Sequence, residues 1–202
     1  IIQDNNASGS VVWKAGGYIS DDSKVKFSWS IDGHQISTSK ELTLSKDYIN
    51  RSIKLVIESA DASGRNNVVG ENEVSYTFKI NLQDCKITPT NKRFLKDKNS
   101  SKYTVEYDGK IQNPQLEISY GKNIILTPGT HYTPPSNLDK DLIYPRANIQ
   151  MKISPAKDSG IEGTAIFVFD ITALTLKESN CELSKTEFTY NTQAQKPRIT
   201  VN

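Results

Sequence analysis

The stretch YDGKIQNPQLEIS, Tyr107–Ser119, returns near the end of the chain as YNTQAQKPRITVN, Tyr190–Asn202. Tyr107 falls on Tyr190, Gln112 on Gln195, Pro114 on Pro197, and the alternating pair Leu116/Ile118 on Ile199/Val201. A repeated unit has to build the same structural element in each copy, and its closing alternation has the two-residue period of a β-strand. The second copy stops early, so residues 172–202 read as the truncated start of a further unit. Cys85, in QDCKIT, and Cys181, in SNCELS, are 96 positions apart, whereas the two tyrosines are 83 apart; the first copy therefore carries 13 extra residues between these landmarks. The polar stretch LKDKNSSK, residues 95–102, falls in that interval and reads as an insertion.

At 202 residues, with 36% hydrophobic and 24% charged side chains, the chain has material for one or two domains with real cores and does not have the composition of a disordered chain. Net charge is +2, distributed as −1 over residues 1–82, +2 over 83–171 and +1 over 172–202. No basic stripe points to nucleic acid, and no acidic block points to a cation store. No apolar run approaches the roughly 18 residues needed to cross a bilayer, so no membrane contact is expected within this segment. The chain opens at Ile1 without a signal-peptide pattern and reads as excised from something longer. Two cysteines are too few for a disulfide framework. At matching places in successive repeats they lie about one domain length apart, too far for a bond, and each reads as a small buried hydrophobe on a first strand.

Period-two patterning is strongest in residues 1–82. In KVKFSWSIDG, Val25, Phe27, Trp29 and Ile31 share one face, and Asp32-Gly33 supplies hairpin turn chemistry. Leu42 and Leu44 mark another strand, Ile53, Leu55 and Ile57 a third, and Val74, Tyr76, Phe78, Ile80 and Leu82 a fourth. ADASGRNNVVGEN reads as a long polar hairpin loop. An inward Trp on a central strand, followed by a DG turn among short strands, resembles an immunoglobulin-like sandwich. Because the cysteine pair of antibody domains is missing, the resemblance is to the bacterial and polycystic-kidney-type Ig-like modules.

Residues 83–171 follow without a flexible linker, which predicts nearly rigid coupling to the first segment. Alternating sets are Cys85/Ile87, Tyr103/Val105/Tyr107, Leu116/Ile118/Tyr120, Ala147/Ile149/Met151/Ile153 and Ala165/Phe167/Phe169/Ile171. Ile166 and Val168 face away from the Phe pair, which predicts a doubly covered strand or an interface patch. The order Tyr107, Gly109, Lys110, Pro114, then Gly129 and Tyr132, then Gly163, Thr164, Phe169 and Ile171 is similar to the Ig-like repeats strung along large surface proteins of Gram-positive bacteria. The likeness covers about 65 residues. Thr192, where the first copy has Gly109, departs from it.

Catalytic and metal chemistry find little support. His34 reads as a solvated turn residue and His131 as a loop residue beside a core Tyr, and neither has metal-ligand or nucleophile partners at the right spacing. Asp61/Ser63/Asn66 and Asn137/Asp139/Asp141 are oxygen-rich loops without a calcium-loop pattern. No motif nominates a glycosidase carboxylate pair, and no Gly-rich phosphate loop exists. The sequons at Asn6, Asn50 and Asn99 are chance matches in a bacterial chain, whereas in a eukaryotic secreted chain they would mark surface loops. The resemblance also raises a Lys–Asn or Lys–Asp isopeptide bond, but it does not reach that motif here, and Lys79 and Lys86 alternate onto the polar face. Trp13 and Tyr18, flanking AGG outside the clear strands, are the candidate ligand contacts, as rings that could stack on a sugar; the alternative for Trp13 is packing over the sandwich edge.

The expectation is an all-β chain of tandem immunoglobulin-like β-sandwich domains, elongated: one at 1–82, a second repeat at 83–171, and the start of a third at 172–202. The resemblance implies a non-catalytic stalk, spacer or adhesion module, with no cofactor, catalytic residue or metal. It would be extracellular, on a bacterial cell surface or cell wall or secreted. Its partners would be the neighbouring domains of the same chain and a host or glycan ligand, with no nucleic acid. The alternative is a carbohydrate-binding module accessory to a glycoside hydrolase. Residues of consequence would be Trp29, Tyr107, Pro114, Tyr132 and Phe169.

Overall fold

In a computed structural model, residues 1–5, 9–16, 22–60, 72–100, 102–135, 142–175, 181–184, 187, 189, 192–194 and 196–201 are described. Among them the regular structure is strand, with three single-turn 3-10 segments and no α-helix. The chain is therefore all-β.

The first eight strands are β1 (Ile2–Asn5), β2 (Val11–Lys14), β3 (Val25–Ile31), β4 (His34–Ser37), β5 (Glu41–Thr43), β6 (Ser52–Ser59), β7 (Glu73–Thr77) and β8 (Ile80–Asn81). They form a three-stranded sheet in the order β1-β2-β5 and a four-stranded sheet in the order β4-β3-β6-β7. β3 buries Phe27, Trp29 and Ile31 as its alternation predicts, and Trp29 is 0% exposed with its indole N–H donating to the Ser39 carbonyl at 2.8 Å. Asp32 and Gly33 take φ of 51° and 79°, the two positive values of the hairpin turn whose twist matches its flanking strands. Residues 61–71, the expected β6–β7 loop, lie outside the described residues.

The alternation from Val74 to Leu82 predicts one strand, but the structure divides it. β7 pairs with β6, with Tyr76 opposite Ile53. Phe78 then exchanges backbone hydrogen bonds with Arg51 and Asn50, and β8 leaves the sheet altogether. Period two continues through the break because all three segments are extended, though the burial does not: in β7 Val74 is half-buried and Tyr76, expected to face inward, is 52% exposed. Phe78, Ile80 and Leu82 are at most 1% exposed.

The next strands are β9 (Lys86–Pro89), β10 (Leu95–Lys96), β11 (Tyr103–Glu106), β12 (Leu116–Tyr120), β13 (Ile124–Leu126), β14 (Tyr132–Thr133), β15 (Arg146–Pro155), β16 (Ile161–Glu162) and β17 (Ala165–Thr172). They build sheets in the orders β13-β12-β9 and β10-β11-β17-β15-β14, with β11 parallel to β17. The insertion at 95–102 is a hairpin extension: β10 adds one strand beside β11, and Asp97 closes the turn by accepting from Asn99 N–H and Ser100 O–H. Ala165, Phe167, Phe169 and Ile171 are buried as expected. Ile166 on the other face is 55% exposed, so no second layer of described residues covers it. Ala147, expected to face inward, is exposed. A bulge between Arg146 and Ile149 places Asn148 at φ 57°, with its N–H donating to the Asp170 carboxylate at 2.6 Å, and this resets the alternation.

The repeated stretch shows the same pairing twice. β9 runs antiparallel to β12, with Ile87 opposite Ile118. β18 (Cys181–Leu183) runs antiparallel to β19 (Ile199–Val201), with Cys181 opposite Val201 and Leu183 opposite Ile199. Relative to the alignment of the two cysteines, the second ladder is displaced by two residues, a shift that leaves side chains on the same face. Thr192 adopts φ 63°, close to the 74° of Gly109, so the turn conformation persists where glycine does not.

Candidate functional site at the joint between the two halves

The residues most tightly constrained by their surroundings lie where residues 1–82 meet residues 83–171. The connection is one 3-10 turn, Leu82–Asp84, capped by the Asn81 side chain, which accepts from Gln83 N–H at 3.0 Å. Leu82 is fully buried, and the buried apolar residues of both halves form one continuous cluster. A flexible linker would be solvated throughout; this one anchors Leu82 in the core.

Two strands make the contact continuous. β8 pairs in parallel with β16, Ile80 beside Ile161 and Asn81 beside Glu162, and Ile80 N–H donates to the Gly160 carbonyl at 3.2 Å. Lys79 and Glu162 form an ion pair at 2.5 Å above this ladder. Both side chains are about half exposed, so the pair contributes no more than about 1 kcal/mol, and the ladder and buried residues dominate. The Asn50 side chain donates to the Asp158 carbonyl at 3.3 Å on the same side.

A second seam is formed by the β12–β13 turn, Gly121–Asn123, inserted against β2 and β5. The Asn123 amide is the latch: its oxygen accepts from Val11 N–H at 3.0 Å, and its nitrogen donates to the Leu44 carbonyl at 2.6 Å. Lys122 N–H donates to the Gly9 carbonyl at 3.1 Å. Gly121 has φ 60°, and a Cβ placed there would run into the Val11 side chain, so only glycine permits this approach. Aromatic rings fill the space beneath. Trp13 lies edge-on to Phe78 at 5.7 Å, Phe78 contacts Tyr120 at 6.5 Å, and Gln3 bridges the Trp13 indole N–H and the Tyr120 hydroxyl. Burial raises the Tyr120 hydroxyl above the usual tyrosine range. Cys85 sits at the same place, its thiol directed at the Asn81 carbonyl; burial, with Asp84 nearby, pushes it up to about 11. It is an inert packing group under ordinary conditions.

Comparison with known protein families, curated proteins and solved structures finds no match. The reading of the chain therefore rests on its own residues.

Trp13, a candidate ligand contact, lies within β2 and not in a flexible stretch. At 6% exposed, with its ring between Tyr76 and Phe78, it presents no open face for a sugar. Tyr18 lies outside the described residues, as do Asp61, Ser63, Asn66, Asn137, Asp139 and Asp141 of the oxygen-rich loops. Both cysteines are free thiols. Asn50 of the second sequon is held against the other half, and Asn99 lies in the exposed β10–β11 turn. His34 is exposed at the start of β4. Lys79 engages Glu162, and Lys86, expected on the polar face, is exposed on β9.

Trp29, Tyr132 and Phe169 are core residues, at 0%, 2% and 0% exposed, and the Tyr132 hydroxyl donates to the Leu116 carbonyl at 3.1 Å. Tyr107 is half-buried and Pro114 buried near the start of β12. Beside Tyr107, Asp108 organises the repeated loop by accepting from Lys110 N–H, the buried Gln112 amide and Arg93. Burial pushes its carboxyl up, but these donors outweigh burial and hold it below the usual carboxylate range. None of these five sits in the joint. Asn123, Gly121, Tyr120 and Phe78, which form it, carry no motif; the one local signal is the Gly-Lys-Asn turn between two apolar strands.

Proposed function

We propose that this chain is a non-catalytic spacer of a cell-surface or secreted protein, built of immunoglobulin-like units whose joint is stiff by construction. The observation that carries the reading is the joint itself: a parallel strand pair, an asparagine latch that bonds both ways across the seam and a shared apolar core replace a linker. Such a connection transmits orientation from one unit to the next, which is the property a stalk needs and an independent binding module does not.

The Ig-like assignment draws on the first half. Seven strands divide three and four between two sheets in the orders β1-β2-β5 and β4-β3-β6-β7, and a fully buried Trp sits on the third strand. In the second half the opening segments are shared between sheets, β9 in one and β11 in the other.

Small-angle scattering at neutral pH tests the stalk reading. A rod-like distance distribution with a single well-defined long dimension is expected, and a symmetric, globular distribution would overturn it.

A further inference from the structure

The turn that follows β13 is closed by a histidine and faces the first half of the chain. His131 N–H donates to the Thr127 carbonyl at 2.8 Å, and its side chain completes the ring in the other direction, with Nδ1 accepting from Thr127 N–H at 2.9 Å. An imidazole can accept at Nδ1 only while that nitrogen is unprotonated. Protonation would set two N–H donors against each other and leave the Thr127 amide without its acceptor.

The position of this turn gives the proton a consequence. Thr127 is the residue after β13, and the other end of β13 begins at Asn123's neighbour Ile124, so the turn and the latch share one three-residue strand. Across the seam lies the 3-10 turn Lys46–Tyr48, two residues beyond Leu44, whose carbonyl the Asn123 amide holds. The charged groups around the imidazole are Lys46 and Asp47 of that turn. The turn after β15, whose Ala156 N–H donates to the His131 carbonyl at 3.1 Å, carries Lys157 and Asp158. Asp47 is engaged by its own cap, Ser45. Burial and then the Lys46 ammonium hold His131 below the ordinary histidine value, so the ring is neutral at pH 7 and the turn is closed.

We propose that His131 is a proton-operated release for the joint: mild acid opens the 127–131 turn, repels Lys46, and loosens the Asn123 latch so that the two halves bend relative to one another. The proposal rests on the stiff-spacer reading and adds a condition under which the stiffness is lost.

Amide hydrogen exchange, corrected for the intrinsic pH dependence, reads the latch directly at Val11 and Lys122, whose N–H groups bond across the seam. Between pH 7.5 and 5, protection of these two amides and of Thr127 is expected to fall about ten-fold, the effect of one lost hydrogen bond. Protection of Leu55 and Ile118, deep in each half, should hold. His131→Gln keeps an acceptor for Thr127 N–H but does not titrate, and should abolish the pH response. Lys46→Ala should move the midpoint to higher pH. Unchanged protection in the wild type, or the same response in His131→Gln, overturns the proposal. If His131→Gln does not fold, the wild-type His131 ring shift and the Val11 amide protection must share one midpoint, and separate midpoints overturn it equally. Because the rod reading is tested by scattering at neutral pH, the two ideas fail independently.

Discussion

Gly121 and Thr192 are two positive-φ residues with opposite fates under substitution. At Gly121 both the backbone angle and the approach of Val11 exclude a side chain. Gly121→Ala is expected to cost about 2–3 kcal/mol, part from the left-handed backbone and part from overpacking, measured by urea denaturation. Thr192 pays the left-handed cost in the native chain, since a β-branched residue at φ 63° is strained. Thr192→Gly should relieve about 1 kcal/mol and slow exchange of the Ser184 amide, which bonds to the Arg198 carbonyl at 2.9 Å, several-fold. Cys85 gives the pH test at this scale. Its folded thiol is harder to ionise than an exposed one, so its packing contribution is intact below about pH 9 and lost as pH rises through about 11. Alkylation of Cys85 in the native protein should stay slow at pH 8 and accelerate toward pH 11, as followed by mass spectrometry.

At the scale of strands, alternation read directly from the residues locates most of the elements. β3, β6, β12 and β17 lie where period two places them, because each buries one face of its sheet against the core and exposes the other. The errors have a common cause. Alternation records that every second residue is apolar, not which partner it meets, so Val74–Leu82 reads as one strand although β7 and β8 belong to different sheets. Ala147 fails for a different reason: the bulge at Asn148 inserts a residue and shifts the face, a local backbone event with no hydrophobic signature. VVWK is too short to show a period, so the residues alone leave Trp13 between a sugar contact and a packed ring; its burial comes from Phe78 and Tyr76, more than sixty positions away.

For the whole molecule the central quantity is the coupling between the halves. Asn123→Ala strips the acceptor from Val11 N–H and the donor from Leu44's carbonyl, a loss of about 1–3 kcal/mol concentrated at the seam. Calorimetry should then resolve two transitions where the wild type shows one, since a weakened contact no longer forces both halves to melt together. The all-β character, the repeat and its insertion, and the Trp29 core follow from residue order, because strand periodicity and turn chemistry act over a few neighbours. The joint does not. Its ladder joins Ile80 to Ile161, its latch joins Val11 to Asn123 and Leu44, and its close approach depends on a glycine that looks like any other turn residue. Contacts between residues so distant in the chain leave no periodic trace and arise only when the two halves are packed, which is why the joint is a property of the tertiary structure.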